Sequence, residues 1–259
     1  MSSRPAILAY HAIGDCPVAE DPHNLFLDLP TFEAQMAHLA SHRRVVPLAE
    51  AMDDEADPAA VAITFDDGYR NVLALAAPVL ARHGLPATVF VPTGWLGLSN
   101  EWDEPSACPF HIMTEEELAE LQKFGVTIET HGHAHLDMAT CTKEEAREDI
   151  ARSLDVLEGI TGRRPRYLAY PYGSSSEGSR EVAASLGLKG ALSIDKKDDG
   201  RFARGRVQVS RSDGSFVFRM KCAGMYGPLR HSRAGNALYG ALRPLARRLL
   251  LVRERSSRS

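Results

Sequence analysis

Two adjacent carboxylates stand where an apolar stretch of the sequence ends. Val61–Phe65 has the composition of a buried strand, and Asp66, Asp67 and Gly68 follow it directly. At the carboxyl end of a parallel strand, side chains face the place where α/β folds hold their chemistry. One carboxylate could bind a metal ion while the other accepts a proton. The alternative is that aspartate caps the following helix, because its side chain can satisfy free N–H groups.

Three histidines within five residues form a second candidate site. His131, His133 and His135 follow the predicted strand 126–130, and Gly132 gives the backbone freedom to turn there. Imidazole is a favoured ligand of zinc and related divalent ions, and core packing does not explain so dense a cluster. We predict that His131 and His135 meet at one ion, whereas His133 either points away or lines the cleft.

The two features together indicate a catalytic metal site. Asp67, His131 and His135 would supply one oxygen and two nitrogens, which leaves coordination positions open for water. A divalent ion in such a site polarises a carbonyl and lowers the pKa of its bound water. Asp66 could then accept the proton as that water attacks.

Strand-like and helix-like segments alternate along the chain, which predicts an α/β fold with mostly parallel strands. The sequences Thr114–Glu117 and Thr142–Glu145 have the spacing of capping boxes. The predicted strands are 7–10, 61–65, 87–91, 126–130, 167–170 and 190–194, and the last is expected to close the repeating part. The predicted helices are 31–39, 71–82, 114–124, 142–161 and 179–186.

The length and composition fit one large soluble domain. The 259 residues can bury a substantial core, and a net charge of −4 gives no reason to expect nucleic acid as a partner. The four cysteines are widely separated and form no CxxC pair, so we expect free thiols rather than disulfides or a cysteine zinc site.

The two ends of the chain suggest a location. The apolar segment 6–10 is too short for a signal peptide and no membrane-spanning run follows, so we expect a cytoplasmic protein. We assign 1–228 to the main domain and 229–259 to a helical tail with eight arginines and one acid, Glu254. The tail either docks on the domain with a solvated basic face or makes peripheral contact with an anionic membrane.

Three motifs carry a resemblance to a known family. In order they are 64–68 (TFDDG), 131–135 (HGHAH) and 169–173 (AYPYG), and they resemble the first three motifs of the polysaccharide deacetylases. These form carbohydrate esterase family 4 and contain the NodB homology domain. Segments 10–11 and 83–97 also look like this family, and the resemblance covers roughly residues 6–215. The third motif is similar to the branch that acts on exopolysaccharides.

The resemblance implies a fold and a set of roles. The fold would be a distorted (β/α) barrel in a single domain, holding one divalent ion, with zinc the default choice. Asp67, His131 and His135 would be the ligands and Asp66 the general base. Tyr172 would offer its backbone N–H to the oxyanion.

This sequence lacks two residues of the family pattern, and other residues would have to take over their roles. The third motif usually begins with an arginine that orients the catalytic aspartate, but Ala169 stands there; Arg206 is our first candidate for that role and Arg211 the second. The usual C-terminal histidine motif is also missing. His11, after the first strand, resembles the general acid of the exopolysaccharide branch and would protonate the leaving amine.

The resemblance implies a hydrolase of carbon–nitrogen bonds other than peptide bonds. Its substrate would be an N-acetylated amino sugar, in a polysaccharide or a lipid-linked precursor. Two alternatives stay open. One is a deformylase or another amide hydrolase on the same fold, and the other is an inactive carbohydrate-binding module.

Overall fold

A computed structural model describes residues 4–102, 109–194 and 200–226. The strands are β1 Ala6–Tyr10, β2 Ala12–Ile13, β3 Phe26–Leu27, β4 Val61–Phe65, β5 Ala87–Val91, β6 Thr127–Thr130, β7 Tyr167–Ala169, β8 Gly190–Ile194 and β9 Arg204–Gln208. Seven of them form a closed parallel barrel in the order β1-β4-β5-β6-β7-β8-β9, and β2 and β3 pair separately as a small second sheet. The predicted (β/α) barrel with mostly parallel strands is therefore confirmed.

Helices cover the outside of the barrel. They are α1 Leu29–His42, α2 Leu48–Ala51, α3 Ala77–His83, α4 Glu115–Gln122, α5 Lys143–Thr161, α6 Glu177–Ser185 and α7 Ser215–Cys222, and the π-helical segment Val72–Ala76 precedes α3. Both predicted capping boxes are formed, at the start of α4 and of α5. Within the described ranges, no helix is long and apolar enough to cross a membrane.

The prediction that strand 190–194 closes the repeating part is wrong. One more strand, β9, follows it and joins the barrel to β1 through the register pair Leu8 and Val207. The strand was missed because two of its five residues, Arg204 and Arg206, are charged and yet buried. Arg204 donates to the Pro5 carbonyl at 2.7 Å, and Arg206 pairs with a buried carboxylate, so tertiary contacts compensate for their burial.

The barrel strands are buried on both faces. Every residue of β1, β4 and β5 is buried, as expected for strands that have the barrel interior on one side and helices on the other. Tyr10 stacks on Phe65 at 5.4 Å between ring centroids and meets the edge of Phe32 from α1 at 5.6 Å. The contact between Tyr10 and Phe65 joins the last residues of β1 and β4, directly before His11 and Asp66 in the sequence.

The domain boundary at residue 228 and the nature of the tail 229–259 concern residues outside those described. The two interpretations of the tail, and the cytoplasmic location, stay predictions. Cys16, Cys141 and Cys222 form no disulfide in the described part of the chain, and Cys108 lies outside it.

Candidate active site

The residues that follow the barrel strands meet in one cleft of about 430 Å³. Six of the seven predicted site residues line it, and the seventh, Arg206, lies buried beside Asp66. The cleft is lined by His11, His23, Leu25, Asp66, Asp67, Trp102, His131, His135, Tyr172, Ile194 and Gln208. This clustering at the carboxyl ends of the strands is the usual arrangement in parallel barrels.

Asp67, His131 and His135 form a compact set of metal donors. One atom from each lies within 4.8 Å of the others, and Asp67 Oδ1 is 3.3 Å from the Nε2 atoms of both histidines. His131 Nδ1 lies 2.8 Å from the Ala169 carbonyl, so it carries the proton and leaves Nε2 as the ligand atom. This donor set fits a divalent ion, and the structure places all three residues where the sequence predicts a metal site.

The ionisation of Asp67 also suits a metal ligand. Burial raises the pKa of its carboxyl group, but hydrogen bonds from His131 and His135 outweigh that effect and hold the pKa well below its ordinary value. The carboxylate is therefore charged at neutral pH.

Three site residues have a left-handed backbone. The described residues include four non-glycine residues with positive φ: Asp67 (67°), His135 (57°), Tyr172 (57°) and Asn24 (62°). Such conformations cost about 1–3 kcal/mol each and are found where function needs them. At Asp67 this conformation places neighbouring Asp66 and Asp67 in the same cleft. The contacts of the two carboxylates do not favour the helix-capping alternative, because the Asp66 side chain pairs with Arg206 and the Asp67 side chain lies against two histidines.

Asp149 of α5 holds in place the segment 131–135 after β6, which we call the histidine loop. Its carboxylate accepts hydrogen bonds from the backbone N–H groups of His133 at 2.8 Å and Ala134 at 2.7 Å. A Cβ atom on Gly132, where φ is 80°, would lie 2.4 Å from Asp149 Oδ2, so only glycine fits there. His133 points away from the cleft, and its Nδ1 lies 2.8 Å from Thr93 Oγ1.

Sequence reasoning missed Asp149, although a signal existed. It is an acid on the buried face of α5, among Ala146, Ile150 and Leu154. A buried acid on an apolar helix face needs a partner, and here that partner is the backbone of the histidine loop.

Arg206 grips Asp66 with both terminal nitrogens. Nη1 and Nη2 each lie 2.7 Å from one carboxylate oxygen, and Nη1 also donates to Thr64 Oγ1 at 3.0 Å. Burial is the largest single influence and raises the pKa of Asp66, but the charge and hydrogen bonds of Arg206, together with His131 and His11, outweigh it, so the net pKa is below the ordinary value. The second candidate, Arg211, is engaged elsewhere and donates to the Cys16 carbonyl at 2.7 Å.

The remaining predicted residues stand around this carboxylate. His11 Nε2 lies 3.9 Å from Asp66 Oδ2. The rings of Tyr172 and His135 meet edge-on with their centroids 4.8 Å apart, and the Trp102 ring stacks on His135 at 4.3 Å. Their chemical roles stay predictions.

The outer lining of the cleft carried no sequence signal. His23, Leu25 and Trp102 come from loops, and Gln208 comes from the strand that was not predicted. Isolated loop residues of this kind have no periodicity or motif that would mark them.

The fold and the site define a class: a parallel-barrel hydrolase with a candidate metal centre of two histidines and one carboxylate. The chain belongs to the polysaccharide deacetylase family, whose model matches residues 53–191. Family membership confirms the resemblance and the enzyme class that it implied.

Individual relatives agree with this assignment, and a solved structure agrees with the fold. The chain is 27% identical over 230 residues to YxkH of Bacillus subtilis (strain 168), named as a candidate polysaccharide deacetylase, covering 83% of this chain and 76% of that protein. It is 27% identical over 183 residues to the poly-beta-1,6-N-acetyl-D-glucosamine N-deacetylase of Staphylococcus aureus (strain MRSA252), covering 64% of this chain and 60% of that enzyme. The fold is similar to that of Streptococcus pyogenes deacetylase PplD, with a TM-score of 0.73 and 20% sequence identity. The match covers 86% of this chain and 99% of the PplD chain.

Proposed function

We propose that this protein removes the N-acetyl group from an amino sugar in a carbohydrate substrate, and that it does so with one bound divalent ion, zinc. The observation that carries the proposal is the convergence of Asp67, His131 and His135 beside a second carboxylate, Asp66, that Arg206 holds in a fixed orientation. A structural metal site requires only its ligands, whereas a hydrolytic site also requires a proton acceptor beside the ion, which an oriented second carboxylate can provide.

Asp67, His131 and His135 would hold the ion. When bound, a divalent ion in such a site polarises the amide carbonyl and lowers the pKa of its water. The charged Asp67, and a proton fixed on His131 Nδ1, suit this ligand role.

The other residues would manage the protons and the developing charge. Asp66 is the base that accepts a proton from the attacking water, and its bidentate contact with Arg206 fixes the orientation of the carboxylate in the wall of the cleft. The backbone N–H of Tyr172 donates to the oxyanion of the tetrahedral intermediate. His11, 3.9 Å from Asp66, donates the proton that the departing amine needs. The products are acetate and a free amino sugar.

The substrate class follows from the family and from one relative. The Staphylococcus aureus relative is named for poly-beta-1,6-N-acetyl-D-glucosamine, and this chain covers 60% of its length. Oligomers of β-1,6-linked N-acetylglucosamine are therefore our first proposed substrates. A lipid-linked precursor would present the same N-acetyl group to the same site.

Metal content and acid release test the proposal together. The protein would be loaded with zinc, freed of excess ion, and incubated with N-acetylated and N-formylated glucosamine oligomers. We expect about one zinc per chain and release of acetate from the acetylated oligomer. Asp66→Asn should keep the zinc and lose turnover by 10²-fold or more, roughly the contribution of a general base. His135→Ala should lose both.

Two outcomes would contradict the proposal. A wild-type protein that retains no zinc would remove the mechanism. Release of formate without acetate would reassign the enzyme as a deformylase.

A further inference from the structure

One wall of the cleft belongs to a loop that the chemistry above does not use. The connection between β2 and β3 brings His23 and Leu25 to the cleft, which His11 and Gln208 also line. His23 is exposed at the rim, whereas Asp66 and the metal donors are buried. The loop is thus placed to meet a part of the substrate that lies outside the reacting amide.

The loop is folded tightly on itself. The buried Asp21 carboxylate accepts hydrogen bonds from the backbone N–H groups of Leu25 at 2.8 Å and Phe26 at 3.2 Å. Asn24 donates its backbone N–H to the Asp21 carbonyl at 3.2 Å and has a left-handed φ of 62°. The chain therefore turns sharply between His23 and Leu25, and both side chains reach the cleft.

The segment after β9 anchors this loop. Arg211 Nε lies 3.6 Å from Asp21 Oδ2, and Arg211 Nη2 donates to the Cys16 carbonyl at 2.7 Å. Ser212 Oγ accepts a hydrogen bond from Asn24 Nδ2 at 3.1 Å. These contacts fix the start of the loop and its turn, and the Arg211 side chain is mostly buried.

We propose that the loop Asp21–Leu25 is a substrate-binding wall for the sugar next to the one that loses its acetyl group, and that Arg211 is a positioning residue acting through this loop. The reacting amide must lie among the buried donors, so the exposed His23 meets the neighbouring sugar. Its imidazole can hydrogen-bond sugar hydroxyls, and Leu25 can pack on the apolar face of a sugar ring. This inference rests on the proposed function and adds a requirement for an oligomeric substrate.

The test compares two substrates of the zinc-loaded enzyme. A β-1,6-linked N-acetylglucosamine pentamer reaches the wall, whereas p-nitrophenyl acetate carries no second sugar. For His23→Ala and Arg211→Ala we expect kcat/KM on the pentamer, relative to that on the ester, to fall about tenfold, the equivalent of one lost hydrogen bond. The change should appear in KM. Asp66→Asn should abolish hydrolysis of both substrates, which shows that they share one site.

Two further variants separate positioning from general structure. Because Arg211 acts through the loop, the double variant His23→Ala/Arg211→Ala should be no worse on the pentamer than Arg211→Ala alone. Arg211→Lys should restore part of the pentamer activity, since it keeps a charge near Asp21. His83→Ala at the end of α3 and Arg164→Ala, in the exposed segment between α5 and β7, are the matched controls and should behave as wild type.

Each contrary result has a distinct meaning. If the wild type releases no acetate from the pentamer, the proposed function fails and the inference fails with it. If the wild type is active but His23→Ala keeps its KM for the pentamer, only the substrate-binding wall is refuted. Equal losses on both substrates in Arg211→Ala, or additive effects in the double variant, would refute the positioning role.

Discussion

Asp66 and Asp67 are neighbours in the sequence, yet their contacts prepare them for different tasks. Asp66 faces a guanidinium that neutralises it through two hydrogen bonds, whereas Asp67 faces two imidazoles that can share a metal ion. The left-handed backbone at Asp67 is what allows both carboxylates to reach one cleft. Both are buried and charged, so each depends on its own partner.

The first prediction concerns the partner of Asp66. Arg206→Met should destabilise the protein by roughly 3–5 kcal/mol, because it leaves a buried carboxylate without its counter-charge. Burial would then raise the pKa of Asp66 unopposed by Arg206, so the acid limb of the pH–rate profile should move to higher pH. Urea unfolding and a pH series of kcat/KM measure the two effects.

The stabilisation that the Asp66–Arg206 pair provides should depend on pH. Asp66 has a lowered pKa in the folded state, so its pairing stabilises the protein above the unfolded pKa and is lost as pH falls through the folded value. The difference in unfolding free energy between the wild type and Arg206→Met should therefore be smaller at acidic pH than at neutral pH. A pH-independent loss would mean that the Arg206 side chain stabilises by packing, for example over the Phe90 ring at 5.3 Å, rather than by charge.

At the scale of elements, the sequence was informative wherever local chemistry decided the structure. Apolar runs predicted six of the seven barrel strands, and capping boxes predicted the starts of α4 and α5. Strand β9 has no such signal, because its buried arginines are compatible with a strand only through partners far away in sequence. The prediction that Arg206 takes the place left by Ala169 came from the family pattern, and the structure puts its guanidinium on Asp66.

The second prediction concerns the contact between α5 and the histidine loop. Asp149→Ala should weaken zinc binding by roughly 10–100-fold, the usual effect of removing a group that orients metal ligands. The reason is that Asp149 fixes the N–H groups of His133 and Ala134, which lie between the proposed ligands His131 and His135. Competition with a chromogenic chelator would measure the affinity.

A neighbour on the same helix provides the control. Asp155 of α5 pairs with Arg164 on the exposed surface, 2.9 Å away, and does not contact the loop. Asp155→Ala should bind zinc as wild type does. Equal zinc affinity in both variants would show that the loop holds its shape without Asp149.

At the scale of the whole molecule, the candidate metal site joins parts of the chain that are distant in sequence. Asp67 follows β4, whereas His131 and His135 follow β6, so an ion held by all three ties two non-adjacent strands of the barrel together. An ion that binds only the folded chain must stabilise the whole domain, by about 2.7 kcal/mol when its concentration is 100 times its Kd. Metal binding can therefore be followed through global unfolding.

The last prediction is that zinc stabilises this protein in a pH-dependent way. At pH 8, zinc at a concentration about 100 times its Kd should raise Tm by roughly 5–10 °C, as the size of the domain and the binding free energy imply.

The pH dependence follows from the pKa of His131. Burial alone lowers this pKa, but hydrogen bonding to Asp67 and the nearby carboxylate charges raise it, and the net shift is upward. In the metal-free protein this histidine is therefore stabilising when protonated, and that contribution is lost as pH rises through its folded pKa. Zinc needs the neutral ring, so protons compete with zinc, and the increase in Tm should shrink steadily toward pH 5.5. Calorimetry with and without zinc measures the difference, and His135→Ala should show none at any pH. A zinc effect that does not change with pH, or that survives in His135→Ala, would place the ion outside the cleft.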